Sequence, residues 1–98
     1  MRYKLEFTEE FDEDLSQVIW WYSLQRVGLE NDFLQSFQDA IHFVEKNPFV
    51  SQIEHKDVRR YALKRFPYKI YFKVYSNTIR FYALFHVKRN PEFVRKRF

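Results

Sequence analysis

The chain opens on a strict alternation, with Tyr3, Leu5 and Phe7 on one side and Lys4 and Glu6 on the other, which predicts a short half-buried strand over residues 3–7. The period then changes. Phe11, Leu15, Val18, Ile19 and Tyr22 are spaced by four, three, one and three, so a single apolar stripe runs along a helix over residues 9–25. Thr8 stands where an N-cap is needed, and Glu9, Glu10, Asp12, Glu13 and Asp14 crowd the first turns, where the positive end of the helix dipole stabilises carboxylates. Gly28 breaks the run. Leu29, Phe33, Phe37, Ala40, Ile41 and Val44 restart it as a second helix, which stops where Pro48 biases Asn47 away from helical geometry. So short a connection predicts an antiparallel helical hairpin.

From Val58 the apolar period returns to two. VRRYAL, YKIYFKVY and TIRFYALFHV read as three strands, the first two joined by a corner at Phe66 and Pro67 and the last two by a tight turn at Ser76 and Asn77. The order β-α-α-β-β-β predicts an α+β fold in which the helical hairpin packs on one face of a mainly antiparallel twisted sheet. Strict alternation puts Tyr68, Ile70, Phe72 and Val74 under the helices together with Ile79, Phe81, Ala83, Phe85 and Val87. The opposite face then shows Lys69, Tyr71, Lys73 and Tyr75 beside Arg80, Tyr82, Leu84 and His86, with Arg59, Tyr61 and Arg65 extending it.

Composition narrows the chemistry. At 98 residues the chain makes one domain, 1–98, and its high aromatic share and single glycine mark it as ordered. No stretch of about 18 apolar residues could span a bilayer, and Glu6, Glu9 and Glu10 deny the N-terminus a signal-peptide core, so a cytoplasmic protein with no membrane partner is expected. The absence of cysteine removes disulfides, thiolate nucleophiles and cysteine-ligated zinc. No two histidines have a usable ligand spacing, so neither metal nor cofactor is expected.

Charge changes the picture most. Residues 1–49 carry four Lys/Arg against ten Asp/Glu, a net of −6, whereas residues 50–98 carry thirteen against three, a net of +10. An acidic helical scaffold is therefore joined to a basic sheet aimed at an anionic partner. Cations interleaved with tyrosines suit single-stranded nucleic acid, since cations neutralise phosphates and rings stack on unpaired bases; the competing reading is an ordinary sheet with its polar face in water. Arg59, Arg60, Arg65, Lys73, Arg80, Arg95 and Arg97 are the candidate contacts with a target or nucleic acid. His86, close to Arg89, could move a proton in phosphodiester cleavage while arginine stabilises charge at phosphorus, or could simply cap a strand end. Adjacent Glu54 and His55 could form a dyad, although neighbouring residues usually point apart. Trp20 and Trp21 are expected to lean into the seams around the first helix, and Arg95, Lys96 and Arg97 form either a solvated tail or a target contact.

The element order, the KNP stop at 46–48, the stretch VRRYALKRFPYKIYFKV at 58–74 and the strand ending in HVKRNP at 86–91 together resemble the RelE/ParE superfamily of bacterial type II toxin–antitoxin toxins. The most specific pieces are Arg59, Leu63, Phe66, Pro67 and Tyr68, and then His86, Arg89 and Pro91. The resemblance covers essentially the whole chain. It implies a toxin neutralised by a cognate antitoxin in a hetero-oligomer, with Lys73, Arg80 and Tyr82 as the antitoxin contact. Within that family, RelE-type members cleave messenger RNA on the ribosome and ParE-type members inhibit DNA gyrase. For the nuclease branch the resemblance makes Lys69, His86 and Arg89 the catalytic set. The tyrosine base expected after Arg89 is missing, and the nearby aromatics are Phe93 and Phe98, which favours the gyrase-directed branch. A non-toxic module binding antitoxin or nucleic acid is the third reading.

Overall fold

The computed structural model describes residues 2–90 and 92–98. A strand β1 (Lys4–Phe7) leads into helices α1 (Glu9–Gln25) and α2 (Leu29–Lys46). Strands β2 (Gln52–His55), β3 (Val58–Ala62), β4 (Tyr68–Val74) and β5 (Thr78–His86) follow, and a short helix α3 (Glu92–Arg97) comes last. The sheet order is β1-β5-β4-β3-β2, with β1 parallel to β5 and every other pairing antiparallel. This is the α+β architecture expected from the periodicity. Two elements are added to it, the edge strand β2 and the helix α3, both too short to leave a periodic signature.

Local chemistry explains the ends of the helices. Thr8 Oγ1 accepts from the Phe11 amide at 3.1 Å, satisfying one of the donors that the first turn of α1 leaves unpaired. Gly28 takes φ +85°, a left-handed conformation that costs glycine nothing and lets the chain reverse into α2. Asn47 closes α2 by donating its backbone amide to the Phe43 carbonyl at 2.9 Å.

The main core lies between the hairpin and the sheet. Phe11, Val18 and Tyr22 of α1 and Phe33, Phe37, Ala40 and Val44 of α2 meet Ile70, Phe72, Ile79, Phe81 and Leu84. Tyr22 stacks on Phe33 at 5.4 Å, and Phe66 sets its edge against Phe33 at 5.3 Å, so the corner at Phe66 is pinned by aromatic packing. Each fully buried phenylalanine stabilises the fold by about 2–3 kcal/mol through area removed from water.

Strict alternation fails in β5. The register runs Tyr71 against Ala83 but Phe72 against Phe81, so Tyr82 is an extra residue, a β-bulge. Past it the faces exchange. Ala83 and Phe85, expected beneath the helices, lie on the other face with Val58, Tyr71 and Val94, while Leu84, expected there, enters the main core. His86 moves with Leu84 and sets its ring edge-on to Tyr68 at 5.3 Å. Val87 lies beyond the strand and is exposed.

The bulge coincides with the end of β1, which pairs with β5 only as far as Phe81. The β5 edge beyond that point needs other partners. Thr8 donates its amide to the Phe81 carbonyl at 3.1 Å, and Asp14 Oδ2 accepts from the Leu84 amide at 3.0 Å. Arg97 donates to the Tyr82 carbonyl at 3.1 Å and to Asp14 Oδ2 at 2.7 Å. The last residues are thus not a solvated tail. They fold as α3, press Val94 and Phe98 onto the face predicted to be open, and tie themselves to α1. The tryptophans also depart from expectation, with Trp20 65% and Trp21 50% exposed.

Candidate functional site

The cationic surface is built on the sheet face away from the hairpin. Period two in β4 places Lys69 and Lys73 there on either side of Tyr71, which packs with Ala83 and Phe85. Arg60 is opposite Tyr71 and belongs to the same face. Arg59 and Tyr61 are opposite Phe72 and Ile70, so they turn toward the helices, contrary to expectation. Arg59 donates to the Ser51 carbonyl at 2.7 Å and the Phe49 carbonyl at 3.3 Å, holding the segment that precedes β2. Arg65 sits exposed at φ +73° in the β3–β4 turn, 5.8 Å from the Phe66 ring, and does not extend the face either.

One end of the surface is a connected cluster. Lys73 Nζ lies 3.6 Å from Asp57 and stands over the rings of Tyr82 at 5.7 Å and Phe98 at 5.6 Å. The Arg80 guanidinium is 5.5 Å from the centre of the Tyr82 ring, and the hydroxyls of Tyr82 and Tyr75 are 2.8 Å apart. Burial, followed by the bond to Tyr75, pushes the Tyr82 phenol up to about 12. At neutral pH it is a hydrogen-bonding group and no general base. Phe98 and Asp57 were missed because no spacing in the chain couples them to Lys73.

Across the sheet, Arg60 is neutralised by Glu54 and also donates to Gln52 at 2.8 Å. The proposed Glu54–His55 dyad does not form, since Glu54 serves Arg60 and His55 pairs through the backbone with Val58. Arg89 rests its guanidinium 4.1 Å from the Phe85 ring centre and 4.4 Å from Phe93, while Arg97 lies 4.7 Å from Phe85 on its way to Asp14. Arg95 and Lys96 project from α3 into solvent. Pro91 of the His-x-x-Arg-x-Pro pattern lies outside the described residues.

Of the three residues expected to act together in a nuclease, His86 and Arg89 share a cleft and Lys69 is kept apart from them. Lys69 is on the far face beside Phe85, whereas His86 has been carried to the helix side by the bulge. There His86 lines a cleft of about 420 Å³ with Asp14, Gln17, Val18, Trp20, Trp21, Tyr68, Leu84 and Arg89. Its Nδ1 accepts the Lys88 amide at 3.1 Å, which leaves Nε2 to carry the proton of the neutral ring. Tyr68 beside it, like Tyr22 and Tyr71, is held protonated above the usual phenol range mainly by burial. The surface offers fixed positive charge and neutral phenols, and its two carboxylates, Asp57 and Glu54, are engaged with Lys73 and Arg60.

No family model matches the chain, and no curated protein does. Among solved structures, the fold is similar to a chain described as "Chromosomal ParDE TA system from P. aeruginosa", with a TM-score of 0.73 and 18% identity. The match covers 87% of this chain and 96% of that one. At that identity the likeness is one of fold. Among the described residues, no helix is long and apolar enough to cross a membrane.

Proposed function

We propose that this chain is a single toxin domain over residues 1–98 of a type II toxin–antitoxin pair, acting in the cytoplasm by inhibiting DNA gyrase and neutralised by a cognate antitoxin in a hetero-oligomer. The fold it shares with a chain of a ParDE system supports the toxin–antitoxin setting. The observation that carries the choice of target is the position of His86, which faces α1 while Lys69 faces away from the hairpin. A protein-directed inhibitor needs a docking surface and no proton transfer, and the exposed cations of α3, Arg95 and Lys96, with Arg89 before them, provide one. The antitoxin contact is assigned to Lys73, Arg80 and Tyr82, where an acidic segment that folds on binding would neutralise charge over a large area.

The test is brief induction in a bacterial host, scoring DNA breaks and the SOS response beside position-resolved cleavage of messenger RNA. DNA damage with intact transcripts, unchanged in His86→Ala, is the expected result. Transcript cleavage that disappears in His86→Ala would replace this reading with a ribosome-dependent endoribonuclease, and the absence of both effects would leave a binding module. Reversing Lys73 and Arg80 to glutamate is expected to weaken the antitoxin complex and alter its salt dependence; unchanged affinity would remove them from the contact.

A further inference from the structure

The β3–β4 turn meets the middle of α2, and a cleft of about 460 Å³ lies between them. Gln35, Asp39 and Phe43 follow one another at four-residue spacing and form one row along α2. Ser36 and Ala40, in the row beside it, are buried. Phe43 stacks on Tyr61 of β3, with ring centres 4.9 Å apart and planes inclined by 18°, so the pair gives the cleft an aromatic wall. Lys64 and Arg65 of the turn also line it.

Charges of opposite sign share this cleft without pairing. Among the described residues neither Lys64 nor Arg65 has a carboxylate within ion-pair distance, and Asp39 joins no ion pair either. All three are exposed. Gln35 donates to Asp39 Oδ1 at 3.0 Å, which orients the carboxylate and leaves Oδ2 to accept. The turn is fixed as well. Buried Ser36 donates its hydroxyl to the Lys64 carbonyl and so ties the turn to α2. Arg65 is held at φ +73°, a left-handed conformation that glycine takes at no steric cost and arginine does not. Backbone strain of this kind concentrates at ligand sites, and here it falls on a cation that lines a cleft.

We infer that this cleft binds a small zwitterion with an aromatic side chain, of the class of the free aromatic α-amino acids. The ligand's carboxylate meets Lys64 and Arg65, its ammonium group meets Asp39, and its ring lies against Phe43 and Tyr61. A carboxylate without an ammonium group would face Asp39, and an amine without a carboxylate would face the two cations, so either ion alone meets repulsion as well as attraction. The cleft has the size of a small-molecule site, for which about 300–1,000 Å³ is usual. It shares no residue with the cluster of Lys73, Arg80 and Tyr82 or with the cleft at His86, so the inference stands independently of the toxin reading.

The test is a titration of the purified full chain with L-phenylalanine, followed through backbone amide chemical shifts. Saturable changes at Asp39, Phe43, Tyr61, Lys64 and Arg65 are expected. N-acetylphenylalanine, which lacks the ammonium charge, and phenylalaninamide, which lacks the carboxylate, should each bind about threefold to tenfold more weakly. Asp39→Asn should weaken phenylalanine by a similar factor and leave N-acetylphenylalanine unchanged. The double variant of Lys64→Gln and Arg65→Gln should weaken phenylalanine and leave phenylalaninamide unchanged. A merely structural role for these side chains would move every ligand alike. Thermal melts check that the variants fold, and Arg65→Gly, which removes the cation and relieves the strain together, should melt no lower than the parent while binding phenylalanine less tightly. No saturable shift, equal affinity for the three phenylalanine compounds, or variants that weaken all of them equally would overturn the inference. Tighter binding of N-acetylphenylalanine than of phenylalanine would overturn it in favour of a plain anion site.

Discussion

The contact between Asp14 and Arg97 joins the first helix to the last and allows a quantitative prediction. Their charged atoms are 2.7 Å apart with side chains only 12% and 19% exposed, and the same carboxylate holds the Leu84 amide at 3.0 Å. Asp14→Ala removes three charge-assisted bonds, a weak one of 3.5 Å from Arg97 and the two short ones, which contribute about 1.5–3 kcal/mol each, and strands a mostly buried guanidinium. The Tyr82 carbonyl, 3.1 Å from Arg97, keeps one partner for it, which holds the expected loss to about 2–4 kcal/mol and below the upper range for broken buried pairs. For a domain of this size that corresponds to a melting temperature lower by roughly 10–25 °C. The assay is urea and thermal unfolding of Asp14→Ala, Arg97→Met and the double variant. The cycle should return a coupling of about 1.5–3 kcal/mol, together with faster amide exchange throughout α3 in each single variant. A coupling below about 0.5 kcal/mol would place the pair among exposed ion pairs and refute the claim that it anchors the C-terminal helix.

Phe33→Ala, at a fully buried position between Tyr22 and Phe66, should cost about 3–5 kcal/mol in chemical denaturation. Gly28→Ala introduces no clash, because nothing lies within 4 Å of the added carbon, so its cost should be the left-handed backbone strain alone, about 1–2 kcal/mol, and Gly28→Asn should cost less. The Tyr82 phenol, raised from 10.0 to about 12 in the folded state, keeps its proton where the unfolded chain has lost it. Stability from this group is therefore intact below pH 10 and falls as pH rises toward about 12, and Tyr82→Phe should flatten that loss in alkaline melts. Val94→Asp should release α3 from Ala83 and Phe85, seen as proteolytic clipping within α3, after Phe93 or Arg95, and as dye binding to the uncovered apolar face.

The local periods of Phe11 to Tyr22 and of Leu29 to Val44, the Thr8 cap, the Gly28 break and the stop at Pro48 were all written in the chain, because each depends on residues within one or two turns of one another. The strands β3 to β5 and their turns were legible for the same reason, as was the division of charge between helices and sheet. The faces of β5 were legible only as far as Phe81. Whether an extra residue is taken up at Tyr82 depends on where β1 stops pairing and on Asp14, 70 positions away, accepting the Leu84 amide. That single choice separated His86 from Lys69 and moved it beside Trp20 and Trp21. The fate of the last residues was equally non-local. Read alone, RKRF is a basic tail, and only the apolar face of Tyr71, Ala83 and Phe85 gives Val94 and Phe98 something to cover and Arg97 a reason to point at Asp14. The chain alone was enough for β1, the two long helices, β3 to β5, the order of these six elements and the division of charge between them, since these follow from neighbours along the sequence, whereas β2 and α3 were not legible in it. The tertiary structure decided which side chains share a face and which charges remain free, because burial and pairing are settled between residues far apart in sequence.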